Sequence, residues 1–125
     1  MVVKAVIFAL IATTFIKLFL FDFIITEGDS MYPAIQNGSV LIVNRLQYGF
    51  RFPGQSGYLI RWGAPKQGDI VVFYTPCGNL AVKRSSLLSG GEKFLAYGDN
   101  SIYSYDSRSY GPVPVDNTIG KVLGR

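Results

Sequence analysis

Hydrophobic and polar positions divide this chain into two unlike parts. The first is AVIFALIATTFIKLFLFDFII, Ala5 to Ile25, the most apolar stretch in the protein, interrupted by Lys17 and Asp22. Its length suits a helix crossing a hydrocarbon core of about 30 Å. A charge at mid-bilayer costs about 2.5–3.5 kcal/mol. Both charges lie in the C-terminal half, where Lys17 would snorkel outward and Asp22 would reach the interface. The surrounding Leu, Ile and Phe offset them. No small-x-small cleavage site follows in FIITEGDS, so an uncleaved span is expected rather than a cleaved signal peptide. A buried helix of a soluble domain is the other alternative. Lys4 precedes the span and no Lys or Arg follows it until Arg45. By the positive-inside rule the amino terminus lies in the cytoplasm and the rest of the chain outside.

Beyond residue 26 the pattern changes to short β-rich runs between turn signals. They are SVLIVNR (39–45), GYLIRW (57–62), DIVVFYTP (69–76), NLAVKRSSLL (79–88), EKFLAYG (92–98) and IGKVLG (119–124). Glycine or proline punctuates each, and no later segment carries a long helical period. The expectation is a mostly β protein. A compact, coiled or barrel-like catalytic sheet domain (27–125) follows one amino-terminal transmembrane helix, with residues 1–26 as cytoplasmic end and anchor. LQYGFRFPGQSGYLIRW (46–62) is rich in aromatics where the pattern reads as loop. Those rings either fill the small core or form an Arg-bearing surface at a lipid interface.

Composition narrows the chemistry. The 125 residues carry a net charge of +4, with the basic residues scattered. That suits solubility or attraction to anionic headgroups, and no stripe or motif supports nucleic-acid binding. There is one cysteine, Cys77, and no histidine. A Ser-His-Asp triad, a Cys-His dyad and a His-ligated metal are therefore impossible within the chain. A hydrolase built from it must take its base from Lys, Asp or Glu.

EGDSMYP, 27–33, follows the apolar stretch directly. Gly28 allows close approach of backbone to a ligand, and Pro33 sets the local φ. Such a turn can expose the Ser30 hydroxyl beside free backbone N–H groups. By itself it need be no more than a turn. A serine without histidine can use lysine as base, but only a neutral lysine, and burial among apolar groups favours the neutral form. Lys83, in LAVKRSSLL, has that setting. Lys66, Lys93 and Lys121 lie in more polar or turn-flanked runs. On residues alone, Lys83 could equally be a solvent-facing strand lysine.

At this point the chain resembles the type I signal peptidases (peptidase family S26), membrane-bound serine proteases with a Ser/Lys dyad. The resemblance runs through ordered blocks: the apolar amino-terminal span, GDSMYPAIQNGSVLIVNR, YGFRFP, GDIVVF, AVKR and GDNSIYSYDSRSYGPVP. It implies Ser30 as nucleophile and Lys83 as general base. Ser104 would orient the lysine amine, with Asp106, Arg108 and Arg84 as ion-paired support. The Ser30 backbone N–H would serve the oxyanion. Gly28 stands where some relatives carry a serine as second donor, so any donor there comes from backbone or water. Met31, Pro33 and Val82 would contact substrate. The resemblance implies no cofactor and no metal, signal peptides of exported preproteins as substrates, membrane lipid as a contact, and a place on the extracytoplasmic face of the cell membrane.

Three departures stand out. The stretch between Lys83 and Gly98 is short, KRSSLLSGG lacks the usual Gly-Leu-Pro-Gly-Asp, and Ser101 replaces the arginine common after Gly-Asp-Asn. They leave the dyad and bear on the cleft. A dedicated maturation peptidase for one exported or pilin-like protein is the nearest alternative, and a non-catalytic membrane subunit with a degenerate protease fold the next.

Overall fold

The computed structural model describes residues 1–52, 57–87 and 91–124. The part of LQYGFRFPGQSGYLIRW at 53–56 and the end of KRSSLLSGG at 88–90 lie outside the described residues.

The apolar stretch is not one helix. Helix α1 spans Val2–Phe15, 14 residues with none buried. One π-helical turn follows, Ile16–Leu20, and at Phe21 the backbone turns extended. Strand β1 takes Phe21–Ile25. Among the described residues, no helix is long and apolar enough to cross a membrane. The transmembrane helix expected over Ala5–Ile25 is therefore corrected. The physical reason lies in its last five residues. Phe21, Phe23 and Ile25 alternate with Asp22 and Ile24 in exposure, the period of a strand. They pair antiparallel with β2 (Val40–Asn44), from Phe21 opposite Asn44 to Ile25 opposite Val40. Asp22, expected to reach a membrane interface, instead forms an ion pair with Arg45 at 3.3 Å.

The remainder is mostly β, as expected, and its strands pair antiparallel. Short strands β3 (Gly49–Phe50) and β4 (Ile60–Arg61) pair with each other. β5 (Ile70–Tyr74), β6 (Leu80–Ser86), β7 (Lys93–Tyr97), β8 (Val113–Pro114) and β9 (Thr118–Val122) complete the strands among the described residues. A seven-stranded sheet of the described residues runs β1-β2-β9-β5-β6-β7-β8. β5 carries the apolar run IVVF and is buried on both faces, whereas β2, with an equally apolar VLIV, alternates between exposed and buried positions. Ile70 and Val72 pack with Met31, Ile35, Leu41, Val43 and Val122. Val71 and Phe73 pack on the other face with Tyr48, Phe94, Ala96, Val113 and Val115.

The aromatic stretch is part core and part surface. Tyr48 is 1% exposed and belongs to the core, whereas Trp62, Leu59 and Ile60 are each more than half exposed. Phe50 stacks on Phe19, rings 5.5 Å apart, and Phe19 lies 4.9 Å from Phe15. That ladder ties the base of the helical segment to β3.

Candidate active site

Ser30 sits in the turn that carries the chain from β1 back into β2. Thr26 anchors the entry: its N–H donates to the Ser39 carbonyl and its own carbonyl accepts from Gly38, both at 2.9 Å. Gly28 has φ +84, the left-handed region that favours glycine. Its N–H donates to Asn37 Oδ1 at 2.9 Å. Behind Ser30, Asn100 N–H donates to the Ser30 carbonyl at 2.8 Å. Ile35 N–H donates to Met31 O at 2.9 Å, and both side chains are buried in the core beneath. The Ser30 turn is thus held from below by apolar packing and from two sides by hydrogen bonds.

Lys83 lies on β6, opposite Val71 of the central strand. It is only 7% exposed. Its Nζ donates to Ser30 Oγ at 2.7 Å. Burial lowers its pKa below the ordinary lysine value; Asp106 pulls it back up and Arg108 pushes it down. A low dielectric disfavours an ammonium, so the amine is biased towards the form that can accept a proton.

Asp106 is wholly buried and caps helix α2 (Ser107–Tyr110). Its Oδ2 accepts from Gly98 N–H at 2.8 Å, from Ser104 Oγ at 2.7 Å and from Arg108 Nη2. Oδ1 accepts from the N–H and the Nε of Arg108, at 3.1 and 3.0 Å. Burial alone would raise the Asp106 pKa, but these donors outweigh it and hold the carboxyl well below its usual range. Arg108 also lies over the ring of Tyr97, 5.3 Å from its centroid.

The structure brings Ser30, Lys83, Ser104 and Asp106 into one region, with differences from the expected wiring. The Ser104 proton goes to Asp106. No hydrogen bond joins Ser104 to Lys83 among the described residues. A buried carboxylate is the stronger acceptor for a single hydroxyl proton. Arg84, expected to share the Asp106–Arg108 support, pairs elsewhere. Its Nε and Nη2 meet the two Asp99 oxygens at 2.8 Å each, and its Nη1 donates to Gly68 O at 3.0 Å. The planar fork of arginine matches a carboxylate edge in this way. The support is therefore two pairs, not one cluster. Gly28 N–H donates to Asn37 Oδ1, whereas Ser30 N–H meets no acceptor among the described residues.

A cleft of about 510 Å³ opens over the pair. Ile24 and Ile25 of β1 form one wall and Leu80 to Lys83 of β6 the other, so the sheet curves enough to bring them face to face. Met31 and Val82 line it; Pro33 is exposed and does not. Tyr103 and Tyr105 reach into it from the segment that carries Ser104. Sequence reasoning did not single out Asn37, Asp99, Tyr103 or Tyr105. Asp99 and both tyrosines lay within the quoted GDNSIYSYDSRSYGPVP block, but their partners are set by folding. Among the described residues, no group of three His, Cys, Asp or Glu side chains is placed to hold a metal ion.

An antiparallel sheet that sets a buried lysine amine against a serine hydroxyl, in a chain without histidine, defines a class: small β proteins with a candidate Ser/Lys site. Comparison narrows it further. Residues 1–91 match the family described as Signal peptidase, peptidase S26. The chain is 28% identical to a protein named Signal peptidase I from Bacillus caldolyticus, over 86% of this chain and 80% of that protein. It is 33% identical to Mitochondrial inner membrane protease subunit 1 from Xenopus tropicalis, over 83% of this chain and 68% of that protein. It is 38% identical over 38% of its length to a Signal peptidase I from Pseudomonas fluorescens, covering 16% of that protein. The chain belongs to the S26 signal peptidase family and is a peptidase of the signal peptidase type. The matched range includes Ser30 and Lys83 and ends before the Gly98–Arg108 block.

Proposed function

We propose that the protein is a membrane-associated serine endopeptidase that removes signal peptides from exported preproteins, with Ser30 as nucleophile and Lys83 as general base. The 2.7 Å contact between Lys83 Nζ and Ser30 Oγ, with the lysine buried, carries this reading. Neutral Lys83 accepts the Ser30 proton as Oγ attacks the scissile carbonyl carbon. The Ser30 N–H, without an acceptor of its own among the described residues, stabilises the oxyanion. Protonated Lys83 then gives its proton to the departing amine, leaving an acyl-enzyme. Neutral again, it takes a proton from water, and the hydroxide so formed releases the acyl group from Ser30.

Ser104 keeps two acceptor lone pairs while its proton is held by Asp106. It is suited to receive an N–H of Lys83 as the amine charges. Asp106 stays anionic to hold Ser104, Gly98 and Arg108 in place. The substrate enters as an extended chain. β1 is the edge of the sheet, and β6 pairs with β7 only from Arg84 onward, so Leu80–Lys83 keep one open edge. Unpaired backbone on both walls suits strand addition.

Membrane association rests on α1, apolar around its circumference with no buried residue, and on exposed Leu59, Ile60 and Trp62. We assign the sheet domain, which begins with β1 at Phe21 rather than at residue 27, to the extracytoplasmic face. The test is cleavage of a preprotein bearing an Ala-x-Ala site by purified protein in detergent. Wild type should yield the mature chain, and Ser30→Ala should leave the preprotein whole. Equal cleavage by folded Ser30→Ala removes the proposal. A panel of preproteins then separates a general peptidase from one dedicated to a single substrate.

A further inference from the structure

We infer that Asn37 is a positioning residue for the nucleophile, fixing the Ser30 turn through the backbone of Gly28; the inference rests on the Ser30/Lys83 reading. Gly28 is two residues from Ser30, at φ +84, and a Cβ there would meet nothing within 4 Å. Neither side chain nor neighbours restrain it, and glycine is the residue with most backbone freedom to lose. What restrains it is one hydrogen bond, Gly28 N–H to Asn37 Oδ1 at 2.9 Å. An N–H can only be met by oxygen, so the carbonyl end of the Asn37 amide must face Gly28.

Asn37 is itself well placed to act as a peg. The segment carrying it is fastened to Thr26 by several bonds. Thr26 Oγ1 donates to Gln36 O at 3.0 Å and accepts from Ser39 N–H at 3.2 Å. Gly38 N–H donates to Thr26 O, and Ser39 Oγ donates to Gln36 O at 2.7 Å. Residues 36–39 form a stiff base, and Asn37 extends from it to the one flexible joint before the nucleophile. On the far side, Asn100 N–H holds the Ser30 carbonyl. The turn is pinned at Gly28 and at Ser30, and Oγ is aimed at Lys83 between the pins. Because Asn37 is exposed and takes no part in the core, removing it should change aim rather than folding.

The test uses the full chain in detergent with a chromogenic peptide ester that acylates Ser30. The variants are Asn37→Ala, Asn37→Leu, which keeps bulk without oxygen, and Asn37→Asp, which keeps the acceptor. A net hydrogen bond of about 1.4 kcal/mol corresponds to tenfold in rate. Ala and Leu are expected to lower kcat about tenfold with KM within twofold, and to reach the full acylation burst more slowly. Asp is expected to recover to within about threefold of wild type. The proposal is overturned if Ala and Leu both keep kcat within twofold, or if Asp is no better than Ala. It is also overturned if the burst shrinks at an unchanged rate per titrated site, which would mean a loss of folded protein. Ser30→Ala run beside them keeps the two readings apart. If it reacts like wild type, the Ser/Lys reading fails; if it is inert while the Asn37 variants are normal, only the positioning role fails.

Discussion

Replacing Gly98 by alanine adds one methyl group at the point where three parts of the site meet. The new Cβ would collide with both Oγ and Cβ of Ser104, and would lie 2.7 Å from the Ser30 carbonyl oxygen. Gly98 has no positive φ, so the cost is steric rather than conformational. None of the obstacles is the free end of a long side chain. Ser104 is fastened to Asp106, and the Ser30 carbonyl is fastened to Asn100 N–H. Overpacking of this kind costs about 1–3 kcal/mol, which for a domain of this size lowers Tm by roughly 4–12 °C. The functional effect should be larger. Relief requires Ser104 to move off Asp106 or the Ser30 backbone to move off Asn100. A shift of about 1 Å at a reacting group costs on the order of 10²-fold. The expectation is a folded protein with kcat/KM down about 10²-fold, measured by preprotein cleavage at a temperature well below its Tm. Gly124→Ala is the contrast, at φ +73 with open space around the Cβ. It should lose a little stability and no activity per folded molecule. If Gly98→Ala retains activity within threefold and melts like wild type, the tight junction of Gly98, Ser104 and Ser30 does not shape the site.

Four further outcomes follow from the same geometry. Lys83→Arg should leave less than about a hundredth of wild-type preprotein cleavage at any pH from 7 to 10, because guanidinium offers no lone pair and general-base loss is worth at least that factor; a folded variant above that level rules Lys83 out as base. Wild-type activity should rise with pH through a midpoint below the ordinary 10.5 of lysine. Because the folded-state pKa is lowered, the unfolded chain binds more protons between the two values, so buried Lys83 costs stability below that window and the cost fades as pH rises through it. Lys83→Met should therefore melt higher than wild type at pH 7, with the gain shrinking towards pH 10.5; an equal or lower Tm at pH 7 contradicts the burial argument. Ser104→Ala should lower kcat by roughly 10²-fold while circular dichroism stays native, and wild-type turnover would remove its role beside Lys83.

Several elements were legible because their cause is local. β2, β5, β6, β7 and β9 fall where β-branched and aromatic runs stand between glycine turns. That β5 and not β2 is covered on both faces was not legible, since IVVF and VLIV are equally apolar and only the sheet order separates them. The absence of histidine and the apolar setting of one lysine made Ser30 and Lys83 candidates, and the resemblance to the signal peptidases singled them out. The end of the amino-terminal helix was not legible. FDFII is as apolar as the helix before it, and periodicity over five residues does not distinguish a buried or lipid-facing helix from a strand. Only the presence of β2 as partner, and of Arg45 for Asp22, decides for the strand.

The sequence by itself determined the palette: a β domain behind an apolar segment, a serine in a glycine turn, a lysine with apolar neighbours, and no histidine to compete. Those follow from composition and from interactions a few residues apart. Tertiary structure decided the wiring. Arg84 could have met Asp106 as readily as Asp99 by charge alone, and Ser104 could have turned its proton elsewhere. Hydrogen bonds are directional and short, so which donor meets which acceptor depends on how β6, the Gly98–Arg108 segment and the Ser30 turn lie against one another. That placement is set by the packing of the sheet, because a shift of an ångström breaks one bond and permits another.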